Sequence, residues 1–351
     1  MNKTIKSILL LLVAVLFVFT SCDGNMEKVH EHTLVTKSNE TQHWVECTTC
    51  DFVGEKENHT YESNKCSCGA YDKAIEIGDT YYDELLPALE YFNSMKGTEN
   101  RDVTINIVKD IDMTDVEWKP FNVDGYHGAG VVTIEGNGHK ITNLCAPLFE
   151  GGFAGTSGVV IHDLTIADSE VSSANTLGVG AFIQTIDSMP KIELKNCHLL
   201  NSSVRATGEG NKSRVGGLIG WTSGYNVTSD GPVDCFVTIE NCSVEKCNIE
   251  GVKGSVGGII GHAGANPATY HTIKACTVID TKITSMNASD WRIGVVVGTA
   301  NVGEIAITGT VESGNTLSQT GKTAPEHSNL YGRFVPNATG KLTIDGVEIT
   351  E

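Results

Sequence analysis

Apolar and polar positions alternate along most of this chain, and the longest alternating stretch repeats itself. From about residue 147 onward a short apolar-glycine segment recurs: PLFEGGFAG near 147, VGAFIQ at 179, VGGLIG at 215, VGGIIG at 256, IGVVVG at 293 and LYGRFV at 330. The starts at 179, 215, 256, 293 and 330 are separated by 36, 41, 37 and 37 residues. Between them lie VVIHDLTIADSEV, IELKNCHLLNSSV, VTIENCSVEKCNI, HTIKACTVIDTKI, IAITGTVESGNTL and a truncated LTIDGVEI. Their period of two predicts strands rather than helices. Aligned, they form columns. One holds Ile161, Leu194, Ile239, Ile273, Ile307 and Ile344; another holds Ile166, Leu199, Val244, Val278 and Ile349. Between them runs Leu164, Cys197, Cys242, Cys276 and Val347, and in the unit at 305 Thr310 takes that middle place.

Columns at a period near 37 mean stacked units, each burying its face against its neighbours. Three short strands per unit, two joined by a tight turn and one by a variable loop, predict coils of a parallel β-helix about 4.8 Å apart. The glycines of VGGLIG then mark a place where backbones pack too closely for a side chain. The three column cysteines are expected to be buried thiols, because parallel, in-register Cβ vectors disfavour the disulfide torsion. Upstream, VTINIV at 103 and VVTIEGNGHKITNL at 131 read as strands, with Asn137-Gly138 as a turn. Before them Leu85, Leu86, Leu89 and Phe92 predict a short amphipathic helix over 83–92, with Pro87 in its first turn. That helix is placed to cap the first coil.

The recurring hexapeptide resembles the GLUG motif, and the broader unit resembles right-handed β-helices of the pectate-lyase-like class, over roughly residues 75–350. The expected fold is all-β: a right-handed parallel β-helix solenoid over residues 73–351, with an N-terminal capping helix, preceded by a small Cys/His-rich module. The resemblance is specific for architecture. It is weak for activity, because such helices serve lyases, hydrolases, adhesins and spacers alike.

The front of the chain has a different pattern. Lys3 and Lys6 precede an apolar run from Ile8 to Phe19 that is short for a membrane span. FTSC, Phe19 to Cys22, resembles the lipobox of bacterial lipoproteins, with Phe19 where Leu is usual. That resemblance implies a signal peptide over 1–21, acylation of Cys22, export, and anchoring of the chain to the bacterial cell envelope, outer membrane or cell surface. An ordinary secretory signal with an incidental cysteine is the other reading.

Residues 22–72 form a linker and a module rich in cysteine and histidine. Its candidate metal ligands are His43, Cys47, Cys50, His59, Cys66 and Cys68, with His30 and His32 upstream. Cys47-x-x-Cys50 has the spacing of a zinc knuckle, and few apolar residues surround it, so metal or disulfides must help the segment fold. The stretch resembles zinc-ribbon-like repeats of the form H-W-x-x-C-x-x-C…H-T-Y…C-x-C-G found in some bacterial surface proteins. Structural zinc is the expectation; disulfides are the alternative that export favours. A zinc-based active site is disfavoured, since four or more ligands leave no open position and no HExxH occurs.

Charge and candidate chemistry bear on function. With 25 Lys+Arg against 43 Asp+Glu the formal charge is −18, and no basic stripe is apparent, which argues against a nucleic-acid partner. Outward positions of the strand pairs carry Glu193, Lys195, Glu240, Lys274 and Thr308, a solvated mixture rather than paired acids. The acids of VKDIDMTDVEW read as a polar turn, and His162 with Asp163 as isolated. What gathers is aromatic: Trp221 and His262 on equivalent strands of adjacent coils, with Tyr225, Asn226 and Tyr270 in their loops. Aromatic faces beside amides suit sugar rings; packing of Trp221 beneath its own loop is the plainer alternative. The sequence therefore points to a surface lipoprotein that binds glycans or another surface protein. The alternatives are a polysaccharide lyase or glycoside hydrolase on the same fold, and a non-catalytic scaffold of a surface complex.

Overall fold

The computed structural model describes residues 32–95, 102–122, 130–151, 158–174, 177–186, 189–208, 214–223, 227–228, 231–232, 234–264, 268–286, 291–323, 329–335 and 340–350. The signal segment, Cys22, His30, Tyr225 and Asn226 lie outside the described residues. The chain divides into two compact units, one ending at His59 and the other beginning at Thr60.

In the first unit, Leu34–Ser38 and Gln42–Cys47 form an antiparallel hairpin, to which Glu57–Asn58 adds a third strand. Among its described residues Cys47 is the one buried apolar side chain, while Leu34, Val35, Phe52 and Val53 are exposed. Hydrophobic burial cannot hold this unit together.

The second unit is an all-β, solenoid-like stack of parallel sheets, and one repeat shows how it is wound. Cys235–Glu240 lies in an eleven-stranded sheet, Ser243–Glu245 in a seven-stranded sheet and Asn248–Gly251 in a five-stranded sheet. Val256–Gly257 then enters a three-stranded sheet and Ile260–Ala263 a second seven-stranded one. The chain returns as Thr269–Lys274, parallel to Cys235–Glu240 and one place further along. The corners between the first three strands are taken by residues in the left-handed region. Asp163, Asn196, Asn241, Ala275 and Gly309 hold the first corner, and Asp168, Asn201, Lys246, Asp280 and Gly314 the second. Asn, Asp and Gly dominate there because they adopt positive φ at least cost.

The first predicted column is a set of real rungs, and the second holds from Ile166 through Leu199 and Val244 to Val278 but not at Ile349. Ile161, Leu194, Ile239, Ile273, Ile307 and Ile344 pair in direct register, extended upstream by Ile105 and Ile134. All but the half-buried Ile344 have essentially no exposure. Cys197, Cys242 and Cys276 are buried free thiols, and Cys197 donates to the carbonyl of Ile161 at 3.2 Å. Contact with Cys197 first, then burial, raises the thiol pKa of Cys242, as fits an inert core residue. The irregular unit at 305 is also visible: Glu312 takes the place opposite Val278, and Val311 is exposed.

Both ends of the eleven-stranded sheet turn back as antiparallel hairpins. Ile75–Ile77 pairs antiparallel with Val103–Ile107 on one side and with Thr80–Tyr82 on the other. The helix, Leu85–Ser94, buries Leu85, Ala88, Leu89 and Phe92, and Phe92 meets Phe121 edge-on at 5.7 Å. At the far end LTIDGVEI departs from the expected parallel repeat. Asp345 and Gly346 both have positive φ (48° and 80°), so the chain reverses, and Val347–Glu348 pairs antiparallel with Lys341–Ile344. Asp-Gly in that conformation is the strongest short hairpin signal. It overrides the repeat, which leaves Val347 exposed instead of stacked on the cysteine column.

One position in a neighbouring core column breaks the apolar rule. The column Val103, Val132, Val159, Ile192, Val237, His271, Ile305, Leu342 contains a single histidine. His271 Nε2 meets the Thr222 hydroxyl at 2.7 Å, but among the described residues its buried Nδ1 has no partner. Burial drives its pKa down to about 4. The neutral form is favoured in the fold, so between the ordinary value near 6.5 and about 4 only the unfolded chain takes up the proton. Stability contributed at neutral pH is thus lost as pH falls through that window, by up to about 3 kcal/mol at about 1.36 kcal/mol per unit. His271→Val is expected to unfold in urea with a flatter pH dependence than the parent between pH 7 and pH 4.5. Parallel profiles for the two proteins would contradict this.

Candidate functional site

Side chains that carry chemistry beyond packing gather in both units. In the first unit, the turn after Gln42–Cys47 returns Cys50 toward His32. Cys50 Sγ and His32 Nδ1 are 3.3 Å apart, and the ligand atoms of His32, Cys47 and Cys50 all fall within 4.8 Å of one another. Two thiols and an imidazole at that spread can hold one tetrahedral metal ion, with metal–sulfur bonds of about 2.3 Å and metal–nitrogen bonds of about 2.1 Å. Hydrogen bonding from the Thr49 hydroxyl, 3.2 Å from Cys47 Sγ, lowers the Cys47 thiol to about 5. Cys47 is therefore a thiolate at neutral pH, the form that binds metal. Burial acts in the opposite direction on Cys50 and raises its pKa.

The expected ligands are spread over both units. Cys47 and Cys50 are joined by His32, one of the two upstream histidines. His43 and His59 stack on each other within the first unit, with ring centroids 5.4 Å apart; His43 lies 4.0 Å from Glu57, and His59 Nε2 is 2.9 Å from the Asn39 carbonyl. In the second unit Cys66 and Cys68 share one turn, closed by Gly69 N–H donating to the Cys66 carbonyl at 2.9 Å. Cys66 is buried there and Cys68 half-buried.

A second group lies where the apolar-glycine segments stack. Each segment folds back on itself, so that a Cβ on Gly216, Gly257 or Gly294 would strike the carbonyl of the residue three further on. Two backbone ladders therefore run side by side with nothing between them. Along one, Arg214, Ser255 and Arg292 immediately precede the paired positions Val215, Val256 and Ile293. Along the other, Thr185, Trp221, His262, Thr299 and Arg333 are in register on successive strands. The ladders are bridged: the Arg214 guanidinium stacks 4.4 Å from the Trp221 ring centre, and the Ser255 and Thr299 hydroxyls meet at 2.6 Å. Arg214, Trp221, His262, Arg292 and Arg333 are all half-buried.

The electrostatics of this patch are those of crowded cations. Burial, then the nearby charge of Arg292, lowers Arg214 to about 10. Burial, followed by Arg214, pushes His262 down to about 3, so it is neutral at physiological pH. Trp221 Nε1 is buried without a partner among the described residues. Trp221 and His262 are adjacent, as their equivalent strands predict. Tyr270 is elsewhere: it stacks on the exposed Phe236 at 5.2 Å, in register on the eleven-stranded sheet. It sits one residue before the inward-facing His271, so alternation turns it outward.

His162 is not isolated, because parallel stacking brings carboxylates to both of its nitrogens. Nδ1 lies 3.2 Å from Glu135 and Nε2 2.8 Å from Glu193, which also pairs with Lys191 at 3.2 Å. Asp112 accepts hydrogen bonds from Thr114 and Asn143, the geometry of a polar turn.

No protein-family model matches the chain, and no curated protein matches it. Among solved structures, the chain is distantly similar to a Bacteroides ovatus protein provisionally described as an immunoglobulin A1 protease. That similarity has 18% identity and a TM-score of 0.47, and covers 70% of this chain and 80% of that one.

Proposed function

We propose that this protein is an exported, lipid-anchored bacterial surface protein whose solenoid is a binding module for carbohydrate. The leader and FTSC support the export and acylation of Cys22. The solenoid is read as a right-handed parallel β-helix with GLUG-like repeats, a hand supported by the strong preference of parallel crossovers for it. Zinc, held by His32, Cys47 and Cys50, is the metal that two thiolates and an imidazole suit best; three protein ligands leave a fourth position for another donor, and the structural role proposed for it is supported by the missing apolar core among the first unit's described residues.

The observation that carries the binding reading is the half-buried Trp221, stacked with Arg214 and in register with His262 at the surface of adjacent strands. An aromatic ring with polar groups converging beside it is what a sugar needs, since its CH faces are apolar and its rim is hydroxylated. On a glycan array the protein is expected to retain a defined subset of oligosaccharides. Trp221→Ala should weaken that retention about tenfold, the equivalent of about 1.4 kcal/mol. An array with no retained glycan would end the carbohydrate reading.

A second reading is favoured by the Glu135–His162–Glu193 line, because glycoside hydrolysis uses two carboxylates at one site. New reducing or unsaturated ends after incubation with polysaccharides, lost in Glu193→Gln, would replace a binding-only role with catalysis.

A further inference from the structure

The chain has five arginines, and three of them lie on the two bridged ladders: Arg214, Arg292 and Arg333. The protein's formal charge as a whole is −18. Arg214 and Arg292 stand two rungs apart with Ser255 between them. One rung on from the bonded pair Ser255 and Thr299, the repeat puts Arg292 and Arg333 in the equivalent places. The patch therefore has a cation at each end, Arg214 on Trp221 and Arg292 beside Arg333. From Trp221 to Arg333 are three rungs, about 14 Å at about 4.8 Å each. Between them lie the half-buried His262 and the buried Thr299, whose hydroxyl is already bonded to Ser255.

Nothing in the described fold balances Arg214. Its polar contacts are a donated hydrogen bond to the Leu177 carbonyl at 3.2 Å and the face of Trp221; among the described residues no carboxylate pairs with it. Holding a half-buried guanidinium beside a second one costs stability unless an anion joins them. Crowded, partly desolvated groups of one sign in a surface site are the physical signature of a ligand of the opposite sign. The guanidinium fork binds a carboxylate or sulfate through two parallel hydrogen bonds. Stacking on Trp221 fixes the plane of that fork, so the indole acts as a positioning group for Arg214 as well as an apolar surface. The chain's overall negative charge weakens long polyanions through repulsion at distance, which favours a short ligand with isolated charges.

The geometry points to an oxyanion-bearing oligosaccharide as the ligand of this face, its sulfate or carboxylate groups seated on Arg214 and on the Arg292–Arg333 pair. This rests on the carbohydrate reading and narrows it.

The test uses the full-length chain and four matched probes by calorimetry: a sulfated oligosaccharide and its desulfated form, and a sialylated oligosaccharide and its carboxyl-reduced form. At least one charged probe is expected to bind tenfold or more tightly than its neutral partner. That preference should shrink as salt is raised from about 50 to about 300 mM, because screening shortens the reach of the arginine charges. Arg214→Gln and Arg292→Gln should each remove at least tenfold of the charged probe's affinity and bring the charged-to-neutral preference toward one, with a thermal midpoint no lower than that of the parent. The sulfate and carboxylate arms identify which group the site takes. Equal binding of charged and neutral partners would overturn the inference and leave the carbohydrate reading standing. So would charged-probe binding indifferent to both arginine substitutions. Absence of binding to all four probes, together with a blank glycan array, would remove both.

Discussion

Gly257→Ala is expected to destabilise the solenoid by about 4 kcal/mol or more, a loss read as a large fall in the urea midpoint. Ordinary overpacking costs about 1–3 kcal/mol because side chains yield. Here the obstruction is backbone on every side. A Cβ at Gly257 would overlap the Ile260 carbonyl and fall 2.7 Å from the amide nitrogen of Gly298 on the next coil. Moving Ile260 breaks its register with Ile219 and Val297, and moving Gly298 disturbs the coil beyond. The substitution thus acts on three coils at once. Gly309→Asn supplies the control: its φ is 59°, a Cβ there meets no atom within 4 Å, and asparagine tolerates that conformation. It should cost less than about 1 kcal/mol. Similar midpoints for the two variants would show that the fold-back does not require glycine.

Removing metal from the first unit should have an effect at least as large, confined to that unit. Its three strands enclose no apolar core beyond Cys47 among the described residues, and structural zinc in comparably small modules supplies about 10–16 kcal/mol of folding free energy. Cys50→Ser is expected to lower bound zinc by one equivalent, and a strong chelator should abolish amide protection over residues 34–58. Protection of the Ile239 and Ile273 strands, which belong to a unit with its own core, should be unchanged. Acid should release the ion, since protons compete for both thiolates and the imidazole. Persistent protection over residues 34–58 in a chelated protein would mean that metal is not what folds this unit.

The architecture was readable because inward-facing positions must be apolar on every coil, and that necessity prints a column into the sequence. Ile161, Leu194, Ile239 and Ile273 are all aliphatic although the intervening loops differ in length. Outward residues obey no such requirement. Arg214, Arg292 and Arg333 are separated by 78 and 41 positions, and only the register of the ladders brings them together. A signal was available, since Arg214 and Arg292 each stand directly before an apolar-glycine segment, with Ser255 before the one between. His162 was hidden for the same reason: Glu135 and Glu193 are its neighbours only through parallel pairing. His32 was legible as a candidate ligand, but its partners were not, because the antiparallel hairpin that returns Cys50 to it leaves no fixed spacing. At the C-terminus Asp345-Gly346 was a stronger local signal than the repeat it interrupted.

The two antiparallel closures, Ile75–Tyr82 with its helix and Lys341–Glu348, also set what the middle of the solenoid is free to do. Because antiparallel hairpins end the stack at both termini, an interior turn of the winding can be excised or duplicated as a cassette without altering the terminal strands. The distance between the Trp221 rung and the Arg333 rung is then a whole number of steps, set by how many coils lie between them.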